Sequence, residues 1–240
     1  MTIVIHYGGN GERAAKPPRT TREILAVAAQ LRRQLAGAGI ATNDARELMA
    51  FLGHVEVNAR QIDIIWDADH PVHDERGVPV LGVCETDLDN PGGAYVSING
   101  PLLSGRPDLM LSTVAHELGH VVFDVPADYR HYRAVTPSAA SLASAACSSE
   151  WRANEFMGAL LVPAYELHRQ LLSHARAERL HLVRAAHQGR PGCPIVDGRS
   201  DAEALAGVVA ALAIHFGVSD SFIRVRLRRY GLVTAMKEIR

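Results

Sequence analysis

Two histidines separated by three residues, His116 and His120, enclose a glutamate in the run Ser112-Thr113-Val114-Ala115-His116-Glu117-Leu118-Gly119-His120. On a helix, residues i and i+4 share a face and stand about one turn apart. Two imidazoles at that spacing can bind one tetrahedral metal ion. Glu117 follows the first histidine and so projects at an angle to the pair. From there it can reach a water activated by the metal without becoming a ligand. Its chemical work would be to take a proton from that water and pass it to a leaving amine. Val114, Leu118, Val121 and Val122 around the motif supply a dry wall that strengthens such electrostatics. The plain alternative is an amphipathic helix with two incidental histidines. The helical context, a strand-like segment upstream and an acidic ligand downstream favour the metal.

That third ligand is expected to be Glu150, in Ser148-Ser149-Glu150-Trp151-Arg152-Ala153-Asn154-Glu155-Phe156. It is expected near the start of a second helix, where a carboxylate is favoured. Asn154 falls four residues on, on the same face. Its amide oxygen is positioned to accept the N–H of a metal-bound histidine and fix the tautomer. Glu155 is the rival ligand, and a solvated acid at a helix start is the plain reading of Glu150. Two histidines and a carboxylate suit Zn2+, with Mn2+ or Fe2+ as possible replacements. Structural zinc sites are usually closed by four protein ligands, whereas three leave a position for chemistry. Donors for a developing oxyanion could come from Tyr95, Tyr129, His131 or Tyr132. Residues 95–99, with Tyr95, Ser97 and Asn99, could form an edge strand along which an extended peptide pairs. For each of these an ordinary surface or packing role is the alternative.

The elements that must hold these groups read as α+β. Residues 107–123 form the histidine-bearing helix and residues 149–161 the glutamate-bearing one. Pro163 fits the first turn of a further helix over 164–174. Upstream, Thr20-Thr21-Arg22-Glu23 is a capping box opening a helix with Ile24, Leu25, Val27, Leu31 and Leu35 on one face. A short helix follows over 43–52. The period then changes to short β-prone runs at 55–57, 61–66, 78–84 and 94–98, separated by turn-rich pieces. They predict a small, mostly antiparallel sheet of three or four strands packed on the histidine-bearing helix and further helices.

Residues 1–19, with Gly-Gly-Asn-Gly-Glu and Lys-Pro-Pro, read as a flexible arm. Residues 20–175 read as the metal-bearing domain and 176–200 as a linker or surface excursion. Residues 201–240 read as a helical, helix-turn-helix-like unit with a turn at Gly217-Val218 and an N-cap at Ser219. Arg224, Arg226, Arg228 and Arg229 on its second helix favour phosphate contact. Phe222, Ile223, Val225, Leu227 and Tyr230 are interleaved with them and must be buried, which favours packing or partner capture over direct DNA binding. The chain of 240 residues is 48% hydrophobic and 21% charged with net charge −1, the balance of a folded globular protein. Nothing in that balance selects nucleic acid or a membrane surface. Cys84, Cys147 and Cys193 form no CxxC pair and no even-numbered framework, so reduced thiols in a cytoplasmic protein are expected. No apolar stretch approaches the roughly 20 residues that span a bilayer.

Together, the His-Glu-Leu-Gly-His motif, the downstream Glu150, Ala153, Asn154 and Phe156, and Ala159-Leu160-Leu161-Val162-Pro163 resemble the ImmA/IrrE family of gluzincin-like metallopeptidases. Tyr95-Val96-Ser97-Ile98-Asn99 resembles the family's strand before the active helix. Residues 212–219 and 226–232 resemble its C-terminal helical element. Val162 stands where methionine is usual, and Asp124 where the family often has another histidine. The resemblance implies a thermolysin-like minimal metallopeptidase, zinc at His116, His120 and Glu150, and a base at Glu117. It also implies a protein substrate: site-specific cleavage of a helix-turn-helix repressor that controls a stress response or mobile element. The alternative is a DNA-binding or repressor-binding regulator with a non-catalytic metal site.

Overall fold

From Leu111 to Phe123 every residue of the histidine-bearing helix is buried, so this helix has no solvent face and must be wrapped on all sides. A computed structural model describes residues 2–8, 20–86, 90, 92–125, 131–134, 145–187 and 190–234. Most of the expected N-terminal arm, Tyr129, and the side chains of His131, Tyr132 and Cys147 lie outside the described residues. The described chain divides into two compact units, 1–161 and 162–240.

The first unit is α+β, with order β1 (Ile3–Ile5), α1 (Thr21–Gly37), α2 (Ala45–Phe51), β2 (His54–Val57), β3 (Arg60–Asp67), β4 (Val80–Thr86), β5 (Gly93–Ile98), α3 (Pro107–Phe123), β6 (His131–Ala134) and α4 (Ala145–Leu161). Thr20 caps α1 through the expected box, its hydroxyl accepting from Glu23 N while the Glu23 carboxylate accepts from Thr20 N. Asp44 caps α2 by accepting from the Arg46 and Glu47 amides. Pro107 opens α3, where a missing N–H costs nothing. Asn58 and Ala59 both take positive φ, 51° and 62°, the two-residue turn that closes β2 on β3.

The sheet is larger and less antiparallel than expected. It has six strands in the order β1-β2-β3-β5-β4-β6. The β1–β2 and β3–β5 pairs are parallel, and the β2–β3, β4–β5 and β4–β6 pairs antiparallel. Two strands account for most of the difference. Ile3 and Ile5, expected in a flexible arm, are almost fully buried. The outer backbone of β1 is closed by glutamines of α1: Val4 pairs with the Gln34 amide at 2.8 and 2.6 Å, and His6 with Gln30 at 3.0 and 2.8 Å. These side chains substitute for a neighbouring strand at an otherwise open edge. At the other end β6 pairs with β4 and makes β4 interior, while β5 is interior because it lies between β3 and β4.

α3 packs against α4, α2, β4 and β5. Its approach to α4 is set by Gly119, where a Cβ would stand 2.9 Å from Ala153 Cα and 3.3 Å from a Phe156 ring carbon. Gly119→Ala should therefore overpack the contact and cost about 1–3 kcal/mol, against which the helix-propensity gain of about 1 kcal/mol is the smaller effect. Thermal denaturation should show a lower Tm; an unchanged or higher Tm would contradict this packing.

The second unit contains α5 (Ala164–Ala177), a hairpin of β7 (Leu182–His187) and β8 (Arg190–Val196), α6 (Ala202–Phe216) and α7 (Asp220–Arg229). The boundary falls after Leu161 rather than at residue 175, because α5 packs on α6 and β8. The segment read as a linker holds the antiparallel hairpin, tied to α5 by His168 Nε2 donating to Pro194 O at 2.8 Å. Gly217 ends α6 in the left-handed conformation at φ 68°, and Ser219 caps α7 by accepting from Phe222 N. The two helices meet at 101°. Arg226 does not join the basic cluster: it is 4% exposed, lies over the Tyr230 ring and donates to its hydroxyl. Val225, expected inside, is 58% exposed. No single described helix is long and apolar enough to cross a membrane, and only the bent α6–α7 pair meets that length test jointly.

Candidate metal centre

The i, i+4 spacing on α3 brings the two imidazoles edge to face, with Nε2 atoms 3.1 Å apart. α4 brings Glu150 across them: Oε2 is 3.3 Å from His116 Nε2, and Oε1 is 3.2 Å from His120 Nε2. One ligand atom from each of the three residues falls within 4.8 Å of the others. The histidines are 1% and 0% exposed, while Glu150 keeps a 28% exposed side chain. The cluster thus has a buried floor and an open side. α4 begins at Ala145, four residues before the expected start, so Glu150 lies inside the helix rather than near its N-terminus. Its position owes more to the facing imidazoles than to the helix end.

The electrostatics favour a cation at this point. Burial would raise the Glu150 pKa, but the contacts with His116 and His120 hold the carboxyl well below its usual range. Burial would likewise lower His120; hydrogen bonds with Asp124 and Glu150, helped by the charge of Glu117, raise it to about 9. In the absence of metal a proton therefore sits where these carboxylates demand positive charge, and metal binding would release it. Cys84, on β4, is the nearby thiol. Its burial, with Glu117 and Asp124 close by, pushes the pKa well up. It stays protonated, which disfavours it as a metal ligand. Two neutral imidazoles and one ionised carboxylate form a donor set typical of zinc peptidases, and among the described residues three ligands converge, one fewer than the four of a closed structural zinc site.

Glu117 is fully buried on the same turn of α3, and its carboxylate lies against β4. A Cβ on Gly82 would stand 3.0 Å from Glu117 Oε1 and 2.9 Å from Thr113 Cγ2. Glycine within a strand marks a close approach of this kind, so Gly82 is the sequence signal for this contact. Thr113 is β-branched and stiff, so in Gly82→Ala the Glu117 carboxylate must move. A displacement of about 1 Å can cost about 10²-fold in rate. Peptide hydrolysis should fall by that order with metal content unchanged, and wild-type turnover in the variant would contradict the placement.

Among the remaining expected residues, Asn154 is exposed and donates to the Glu150 backbone oxygen at 2.8 Å, so it does not orient a histidine. The carboxylate that meets a histidine of the pair is Asp124. It lies one turn beyond His120, and its Oδ2 is 3.0 Å from His120 Nδ1. Burial would raise Asp124, but His120, Ser149 and Arg152 hold it at about 2. The spacing of four residues from His120 to Asp124 is the sequence signal for this partner. Glu155 is buried outside the cluster. Tyr95 is 41% exposed and Ser97 half-buried, both on the interior strand β5, so residues 95–99 offer no free edge to a peptide. Asn99 is 2% exposed and locks a turn, its amide donating to Val72 O and Val80 O at 3.0 and 2.8 Å.

A family model described as the IrrE N-terminal-like domain, a peptidase family, matches residues 105–228. No curated protein matches the chain. The matched span starts just before α3 and runs through α7, and so includes His116, Glu117, His120 and Glu150. With that span covering more than half of the 240 residues, the chain belongs to the IrrE N-terminal-like domain family and is a metallopeptidase.

Proposed function

We propose that this metallopeptidase is a zinc-dependent endopeptidase that cuts a helix-turn-helix repressor in the cytoplasm, relieving control of a stress response or mobile element. The observation that carries the catalytic part is the convergence of two imidazole Nε2 atoms on both oxygens of Glu150, with a buried non-ligand carboxylate, Glu117, on the same turn. His116, His120 and Glu150 would hold the ion. Zinc in such a site acidifies water and polarises the scissile carbonyl. Glu117 would accept the proton of the attacking water on a carboxylate oxygen. The water oxygen bonds to the carbonyl carbon, the C–N bond breaks, and Glu117 returns the proton to the departing amine. The apolar body of α3, with Val114, Leu118 and Val121 at 0% exposure, excludes bulk water from beneath the site. On the substrate side, β6 is the sheet edge next to β4, the strand that abuts Glu117. An extended peptide adding to the sheet would pair there rather than with β5.

The repressor as substrate is supported by the family resemblance and by a second unit whose helix-turn-helix-like pair suits capture of a partner. The test is co-expression with a candidate helix-turn-helix repressor while its length is followed. Shortening that needs the intact motif supports the reading. A repressor that stays whole while repression is relieved would indicate a binding regulator instead.

A further inference from the structure

We propose that Asp124 is a positioning residue that presets the metal-binding geometry by clamping together the two helices that carry the ligands; the inference rests on the metal centre described above. Asp124 is the C-cap of α3 and is 7% exposed. Both of its oxygens are engaged by groups of defined origin. Oδ2 lies 3.0 Å from His120 Nδ1 and accepts from Ser149 Oγ at 2.6 Å; Oδ1 accepts from Arg152 Nη2 at 2.6 Å. His120 is a ligand on α3, whereas Ser149 and Arg152 stand on α4 on either side of Glu150.

Two consequences follow from the chemistry. An ionised carboxylate only accepts hydrogen bonds, so His120 Nδ1 must carry the hydrogen. In the neutral ring that leaves the lone pair on Nε2, the atom facing Glu150 and His116. Second, the same carboxylate holds the residues next to Glu150, so His120 and Glu150 keep their relative placement without a metal between them. The end of α3 is also braced by Tyr7, whose hydroxyl donates to Val122 O at 2.8 Å and whose ring meets Phe123 edge-on. Ser149 is itself 4% exposed, so solvent does not compete for the clamp.

The experiment measures zinc affinity by chelator competition for wild type, Asp124→Asn, Asp124→Ala and Ser149→Ala, alongside the Tm of each metal-free protein. Outer partners of metal-ligating histidines are worth about 10–100-fold in affinity. Asp124→Asn and Asp124→Ala should lose zinc by that factor while the metal-free proteins remain folded. Ser149→Ala, which leaves the Asp124–His120 contact intact, should show a smaller loss in the same direction. In the zinc-loaded wild type, nitrogen NMR should find the His120 hydrogen on Nδ1, and Asp124→Ala should disturb that resonance. Zinc affinity of folded Asp124→Asn within about threefold of wild type, against the 10–100-fold expected, would overturn the clamp alone. Affinity lost only in variants that no longer fold would reduce Asp124 to structural support and also overturn it. Failure of wild type to bind zinc would overturn both the clamp and the metal centre.

Discussion

Replacing Glu117 by Gln is expected to lower peptide-bond hydrolysis by about 10²–10⁴-fold or more, the usual contribution of a positioned proton-transfer group. Gln keeps the size and hydrogen-bonding capacity of the side chain but removes its basicity. Glu117 is not among the three residues whose ligand atoms converge, so metal content should be that of wild type. Its carboxylate lies beside Gly82 of β4, a space that the isosteric amide also fills, so the fold should persist. Partner binding should survive and, with cleavage slowed, become easier to trap. Kinetics on a cleavable partner, together with elemental analysis of the same preparation, check all three. Full turnover in Glu117→Gln would remove this residue from the chemistry, whatever the metal does.

His116→Ala and His120→Ala are expected to abolish stoichiometric metal binding. Each removes one of three donors held within 4.8 Å of one another. The loss should exceed the about 10–100-fold that an outer partner of a ligand costs. Removing an imidazole also leaves a cavity in a helix buried from Leu111 to Phe123, so stability should fall as well, and circular dichroism is needed to show that the variants are folded. Glu150→Ala should weaken metal binding far more than Glu155→Ala, because Glu150 bridges both imidazoles at 3.3 and 3.2 Å while Glu155 stands outside the cluster. Glu150, with its side chain 28% exposed, should be the best tolerated of the three ligand substitutions for folding. Metal retained at one per chain in folded His116→Ala would contradict the assignment.

The chemistry was legible because it is local. The spacing of His116 and His120 is one helical turn, and α3 runs over Pro107–Phe123 as its pattern implied. The Thr20 box, the Gly217 stop and the Ser219 cap are local signals too, and each falls where its hydrogen bonds require. Glu150 was reachable because its helix was legible, although the start of that helix was misread. Non-local features were hidden. β1 has three residues and pairs with β2, which lies some fifty residues on; nothing in Ile3-Val4-Ile5 names that partner or the glutamines that close its edge. Strand direction depends on the same distant pairings, which is why a mixed sheet read as mostly antiparallel. β8 carries Pro191 and Pro194 and so read as turn, yet a two-stranded hairpin leaves each strand an open edge where proline is tolerated. Asp124 and Gly82 were visible as residue types, but their roles depend on which neighbour the fold delivers: His120 with α4 in one case, Glu117 in the other.

The most direct test of the central claim is zinc-edge X-ray absorption on the zinc-loaded protein. One zinc per chain is expected, with two imidazole nitrogens at about 2.0–2.1 Å, carboxylate oxygen at about 2.0–2.2 Å and a further light-atom ligand, and no sulfur. A sulfur shell near about 2.3 Å, or a spectrum unchanged in folded His116→Ala, would contradict it.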